Sequence, residues 1–179
     1  MSVSYIDPVA ECLVQAKKYN LSISATAPIT IGLVINKIPD CDIFMNLVQN
    51  VLTDCNPILT ARKYYTETVT YADDKLIQRI FTECDAAICA IGHCGSCTAG
   101  TVKDAIALIE KGIPAVSLIT DLFWSQSEML THSLGWPSAP RVRLPYPIWG
   151  TEPETMKNAA RTAVMEAMVL LTQDRSSEN

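Results

Sequence analysis

The sequence predicts an α/β domain built on one parallel sheet with helices on both faces. Three observations carry this. Apolar, β-branched runs of strand length alternate with segments of helical period almost from end to end. The runs lack polar/apolar alternation, which reads as burial on both faces. Capping residues and glycines punctuate the helical segments at their ends.

The elements follow in order. Asp7 and Pro8 open a first helix, and Val9, Cys12, Leu13 and Ala16 share its inner face to about Asn20. Pro28 to Asn36 is the first strand. Asp40 caps a second helix with Ile43, Phe44, Leu47, Val48 and Val51 inward. Pro57 to Lys63 is the second strand. Asp73 or Asp74 opens a helix through Leu76, Ile77 and Ile80. Asp85 to Gly92 (DAAICAIG) is the third strand, followed by a helix from about Thr98 to Lys111 that stops at Gly112. Ile113 to Thr120 is the fourth strand, and Leu122 to Leu134 is helical. Arg141 to Leu144 is a short fifth strand. Glu152 to Gln173 is a long closing helix. Five such strands predict a doubly wound, flavodoxin-like sheet in the order 2-1-3-4-5. That order sets the loop Asn36–Cys41 opposite the loop His93–Thr98. Residues 1–175 read as one domain and 176–179 as a frayed tail.

Composition narrows the class. The chain has 179 residues, 49% of them apolar and 18% charged, so it can fill a core. The net charge of −5 argues against nucleic acid as partner. No apolar run is long enough to span a membrane, and the start lacks the pattern of a signal peptide. A cytoplasmic location is the resulting expectation. Seven cysteines, an odd number, read mostly as reduced, buried small hydrophobes, Cys12 and Cys89 among them. No G-x-G-x-x-G follows a strand and no phosphate-binding Walker loop is present, so no cofactor is expected.

One motif stands apart: Gly92-His93-Cys94-Gly95-Ser96-Cys97-Thr98, between a strand and a helix. Unpaired N–H groups and the positive helix end favour a thiolate there. Gly92 and Gly95 allow close backbone approach, and Ser96 and Thr98 offer caps or hydrogen bonds. A structural zinc site would need a second ligand pair at the right spacing, and Cys84 and Cys89 fit poorly. A thioredoxin arrangement would need a cis-proline loop facing the thiols, which the doubly wound order does not provide. On the same sheet edge, Asn36 is placed to orient a carbonyl or carboxylate. Thr120 joins it as a substrate contact. Cys41 reads as a small residue at a helix start, or as a second thiol across the site. Asp121 reads as a helix cap, His132 as structural, and Asp104 and Glu110 as a solvated helix face. The segment Phe123–Trp149 gathers all three tryptophans and several prolines. It reads as core plus a surface connection, or as a lid or subunit interface over the switch point.

The stretch GHCGSCTAGTVKDAIALIEKGIPAVSLITD resembles the UGSC family of cysteine/selenocysteine proteins. In that family a U/C-G-S-C signature precedes a helix that ends in G-I-P. Cys94 matches the selenocysteine position and Cys97 the second thiol. The segment VINKIPDCD, with Asn36, resembles the family's first strand and loop, and the likeness runs from about Ile29 to Gly150. His93 stands where an acidic residue is expected. More distantly, the motif is similar to the U-G-T-C-T segment of the B subunits of glycine, sarcosine and betaine reductases. This resemblance implies a chalcogenide nucleophile that attacks a small activated carbon and displaces a heteroatom.

Three functions compete. The first is a thiol-dependent enzyme with catalytic Cys94 and Cys97, a small-molecule substrate held by Asn36, His93, Gly95, Ser96, Thr98 and Thr120, and a reductant protein or thiol as partner. The second is a cofactor-free racemase, isomerase or hydrolase that opposes Cys41 to Cys94. The third is a redox sensor or a subunit of a reductase complex. A homo-oligomer is compatible with all three.

Overall fold

A computed structural model describes residues 14–24, 26–38, 40–68 and 71–174. Five strands, β1 (Ile29–Ile35), β2 (Leu59–Tyr65), β3 (Ala86–Gly92), β4 (Ala115–Thr120) and β5 (Arg141–Leu144), pair in parallel in the order β2-β1-β3-β4-β5. Helices α1 (Cys41–Cys55), α2 (Asp74–Glu83), α3 (Gly95–Glu110) and α4 (Trp124–Ser133) make the crossovers, and α5 (Pro153–Thr172) closes the chain. The architecture is the expected doubly wound, flavodoxin-like α/β sheet.

The two faces of the sheet carry separate apolar clusters. Ile31, Leu33 and Ile35 of β1 pack with Phe44, Met45 and Val48 of α1 and with Ala160, Ala163 and Ala167 of α5. Val34, the residue of opposite parity, packs with Ile80 of α2 and with Val102, Ala105 and Ile109 of α3. So α1 and α5 cover one face, and α2, α3 and α4 the other. Alanines on the inner stripe of α5 let that helix lie close to the sheet. Its first residue, Pro153, has no N–H to leave unpaired. At the end of α3, Gly112 takes φ +89° and Ile113 N–H bonds the Leu108 carbonyl at 3.0 Å, a glycine stop as expected.

Several elements depart from the sequence reading. The first helix is expected from Asp7 to Asn20; residues 7–13 lie outside the described residues, and residues 14–20 are not helical. Their backbone bonds go outward instead. Lys17 N–H reaches the Gly135 carbonyl at 2.7 Å and Tyr19 N–H the Ser138 hydroxyl at 3.1 Å, with Tyr19 2% exposed in the second cluster. Tertiary bonds here outweigh a local period. Asp40 precedes α1 at φ 68°, with no side-chain cap bond. The buried stripe of α1 is Cys41, Phe44, Met45, Val48 and Leu52, and Ile43 faces outward at 53% exposed. The inward stripe is turned toward Met45. Asp73 is the true N-cap of α2 and accepts from Leu76 N–H at 2.8 Å. The helix expected from Leu122 starts as a 3-10 turn over Asp121–Phe123 and becomes α-helical at Trp124. Asp121 pairs with Arg143 across the edge and does not cap the helix.

Asp104 corrects the reading of α3. It is 2% exposed, not on a solvated face, and its Oδ1 accepts from Ala72 N–H at 2.7 Å. The segment before α2 covers this part of α3, and burial pushes the carboxyl up to about 7.

Gly92 ends β3 where α3 begins. A Cβ there would stand 2.7 Å from Ile119 Cδ1, 2.9 Å from Thr98 Oγ1 and 3.2 Å from Thr98 Cα. The glycine serves the approach of helix to strand.

Two outcomes are expected. Gly92→Ala should destabilise the fold by about 1–3 kcal/mol, because the Ile119 and Thr98 side chains must shift and the Thr98 backbone must give way to admit the methyl group; urea unfolding measures this. A carboxyl raised in the folded state favours folding only while protonated, so Asp104 should cost stability as pH rises from about 4 to about 7. Asp104→Asn removes that slope. Between pH 5.5 and 8 the variant should gain about 2 kcal/mol relative to wild type, read from urea midpoints at both pH values.

Candidate functional site

Neighbouring strands β1 and β3 lead to helices on opposite faces, so their carboxyl ends form the switch point at which open α/β sheets hold ligands. The loop after β1 and the turn from β3 into α3 border it. The CGSC motif belongs to the helix from its first residue. Cys94 is the N-cap with extended backbone (φ −145°, ψ 172°), and α3 starts at Gly95, three residues before the expected start.

The Sγ atoms of Cys94 and Cys97 are bonded to each other, with Cα atoms 5.1 Å apart. Cys94 Sγ also accepts from Cys97 N–H at 3.2 Å, the place of a capping oxygen. The two sulfurs differ in access: Cys97 is 3% exposed, whereas Cys94 is half-buried. Ser96 is exposed, and its Oγ stands 3.5 Å from Cys94 Sγ.

Side chains from four elements hold this turn. Asn36, buried at the end of β1, donates through Nδ2 to the Cys97 carbonyl at 3.3 Å and to Thr101 Oγ1 at 3.2 Å. Thr98 Oγ1 donates to the Cys94 carbonyl at 2.7 Å, and Thr120 Oγ1, at the end of β4, to the Gly92 carbonyl at 2.7 Å. Gln126 of α4 donates to the Gly95 carbonyl at 2.9 Å. Of the residues singled out in the sequence, Asn36, Thr98 and Thr120 therefore spend their polar groups on the backbone of the motif and are buried. Gln126 had no signal in the sequence, because only the packing of α4 on α3 brings it here.

His93 precedes the motif and anchors an aromatic group. Its ring stacks on Trp149 (centroids 4.1 Å) and lies 4.7 Å from Tyr146, which meets Phe123 edge-on at 6.2 Å. Nε2 accepts from Ile148 N–H at 3.3 Å, and burial lowers the imidazole pKa below its usual value. The aromatic, proline-rich segment thus reaches the carboxyl edge through His93. His132 is exposed in the last turn of α4.

Cys41 takes no part at the surface. It is fully buried, points its Sγ at the Ala90 carbonyl at 3.7 Å, and burial pushes its thiol up to about 12. Cys84 and Cys89 are buried and Cys55 is exposed; Cys12 lies outside the described residues. Beside Asn36 a cleft of about 390 Å³ is lined by Ile35, Lys37, Ile38, Asp42 and Tyr65. Tyr65 donates to Asp42 at 2.7 Å, and this bond, with Lys63, holds the Asp42 carboxyl below its usual range. Among the described residues, no three His, Cys, Asp or Glu side chains gather as a metal site, and no helix is long and apolar enough to cross a membrane.

Solved structures similar to the chain include a diflavin flavoprotein A3 from Nostoc sp., 16% identical, covering 86% of this chain and 100% of its own, with TM-score 0.45. Another is the metal-soaked Flv1 flavodiiron core from Synechocystis sp. PCC6803, 12% identical, covering 81% of this chain and 36% of its own, with TM-score 0.43. No curated relative matches the chain. The model of the UGSC family matches residues 4–173, well beyond the stretch around the motif. With nearly its whole length matched, the chain belongs to the UGSC family.

Proposed function

We propose that this protein is a thiol-dependent enzyme in which Cys94 attacks a small electrophilic substrate and Cys97 completes the reaction. The observation that supports this reading is the inequality of the two bonded sulfurs at the start of α3: Cys94 is half-buried, whereas Cys97 is 3% exposed. With the pair reduced, the Cys97 N–H and the helix end favour a Cys94 thiolate.

The chemistry balances as a reductive cleavage. The Cys94 thiolate displaces a heteroatom from an activated carbon, forming a thioether and releasing the leaving group. Cys97 loses its proton and attacks Cys94 Sγ. The disulfide forms, and the carbon departs as a stabilised carbanion that takes up a proton. The carbon–heteroatom bond gains two electrons, and the dithiol loses them. A reductant protein or small thiol then reopens the disulfide by thiol exchange. Gly95 and Ser96 contribute the first helical N–H groups, which have no intrahelical partner, and Ser96 adds a hydroxyl. His93 flanks the nucleophile, while Asn36, Thr98 and Thr120 keep the turn in place.

The burial of Cys41 speaks against the racemase reading, which needs two opposed and reachable thiols. The formed disulfide also fits a redox sensor or reductase subunit, and the test separates that case.

The reduced protein is treated with one equivalent of 2-bromoacetophenone at pH 7.5, and peptides and small products are followed by mass spectrometry. Peptide-level readout keeps exposed Cys55 apart from Cys94. Wild type should release acetophenone and bromide and regain the Cys94–Cys97 disulfide. Cys97→Ser should stop at a phenacyl thioether on Cys94, and Cys94→Ser should give neither product. Cys94 left unmodified while Cys55 is alkylated would sink the proposal. A thioether that persists in wild type would remove Cys97 from the reaction. Reversible disulfide formation without any attack on the probe would favour the sensor.

A further inference from the structure

Among the described residues, strand β5 is an edge of the sheet and pairs with β4. Its Val142 and Leu144 are buried, in one cluster with the inner stripe of α5. The outer face of α5 is apolar in its second half: Met165 is 67% exposed and Val169, one turn later, 63% exposed. They line a cleft of about 390 Å³ with Leu170, Arg141 and Glu166. Met165 and Val169 thus form an exposed apolar pair flanked by the charged groups of Arg141 and Glu166.

The charges at this cleft indicate what covers it. Arg141 lies over the Trp124 ring at 4.9 Å and donates to Ser127 Oγ at 3.3 Å, and burial lowers its pKa. Among the described residues neither Arg141 nor Glu166 has an ion-pair partner within 4.0 Å. Glu166 is exposed on α5 beside Met165. One cleft thus holds a partly desolvated cation, which Glu128 reaches only as a charge and not as an ion pair, and a carboxylate without an ion pair, around an apolar pair. A patch that bears both signs of charge beside an apolar pair can meet a second copy of itself with opposite charges facing. This is the self-complementarity that an isologous interface requires.

We propose that the β5–α5 face is the interface of a homodimer. The proposal is independent of the thiol chemistry, since the face carries neither cysteine of the motif. Arg141 and Glu166 supply the charge complementarity, and Met165 and Val169 the apolar core.

Light scattering coupled to size exclusion tests it on the full chain at about 50 μM. Wild type should run at twice the 19.6 kDa chain mass. Glu166→Arg sets like charges across the interface and should raise the dimer dissociation constant at least about tenfold. Met165→Glu should leave a monomer with unchanged far-ultraviolet circular dichroism. The charge swap Arg141→Glu with Glu166→Arg should restore the dimer. A monomeric wild type, or a dimer indifferent to Glu166→Arg and Met165→Glu, would overturn the inference.

Discussion

The close approach of α3 to the ends of three strands is the constraint on which the site depends. Gly92 leaves no Cβ between β3 and Thr98, so the first turn of α3 can sit directly on the sheet edge. Once it is there, the end of β4 reaches the Gly92 carbonyl through Thr120, and the end of β1 reaches the Cys97 carbonyl through Asn36. A larger residue at position 92 would lift the helix and stretch the bond from Asn36 to the Cys97 carbonyl. Side chains that a surface loop would leave in water thus become supports for a turn that bears two cysteines. Buried polar groups are costly unless paired, and each of these is paired to backbone, which gives the turn one conformation.

The sheet was legible because its strands are uninterrupted apolar runs, and a run buried on both faces has few alternatives. Val34 and Ile35 face different clusters, and the sequence shows only that both are apolar. The segment at 14–20 was illegible for the opposite reason. Its period suits a helix, but Tyr19 gains more from burial against the second cluster than the helix gains from local bonds. Ile43 was misplaced because a continuous apolar stripe can be drawn through it or through Met45, and only the docking angle of α1 decides. Asp104 was misread because nothing in α3 announces that the segment at Ala72 will cover it.

Within the site the division is similar. The motif was evident from two cysteines at a strand-to-helix junction; topology and the family likeness put Asn36 on the same edge, but as a substrate contact, whereas its amide is bonded to the Cys97 carbonyl and Thr101. Gln126 and the ring stack on His93 required the tertiary arrangement, although the concentration of aromatic residues between 123 and 149 was a signal that this segment had a task. The expected start of the helix at Thr98 missed the motif's own turn, since Gly95 and Ser96 are weak helix formers. Their place in the first turn follows from Cys94 acting as the cap, with sulfur where an oxygen is usual.

That capping role explains why the two sulfurs cannot exchange duties. Cys94 accepts from a backbone N–H at the positive end of α3, so negative charge on its sulfur is stabilised by groups already in position. Cys97 lies inside the first turn, with its own carbonyl held by Asn36 and its side chain buried. On the proposed chemistry, an electrophile that reaches the motif therefore meets Cys94 before Cys97. A sulfur that then carries a substrate remains within bonding reach of Cys97, because the helix fixes their Cα atoms 5.1 Å apart. On the proposed chemistry, order of attack is a consequence of access, and closure of the disulfide is a consequence of helix geometry. Neither step requires the chain to move the turn that Gly92 and Asn36 hold in place.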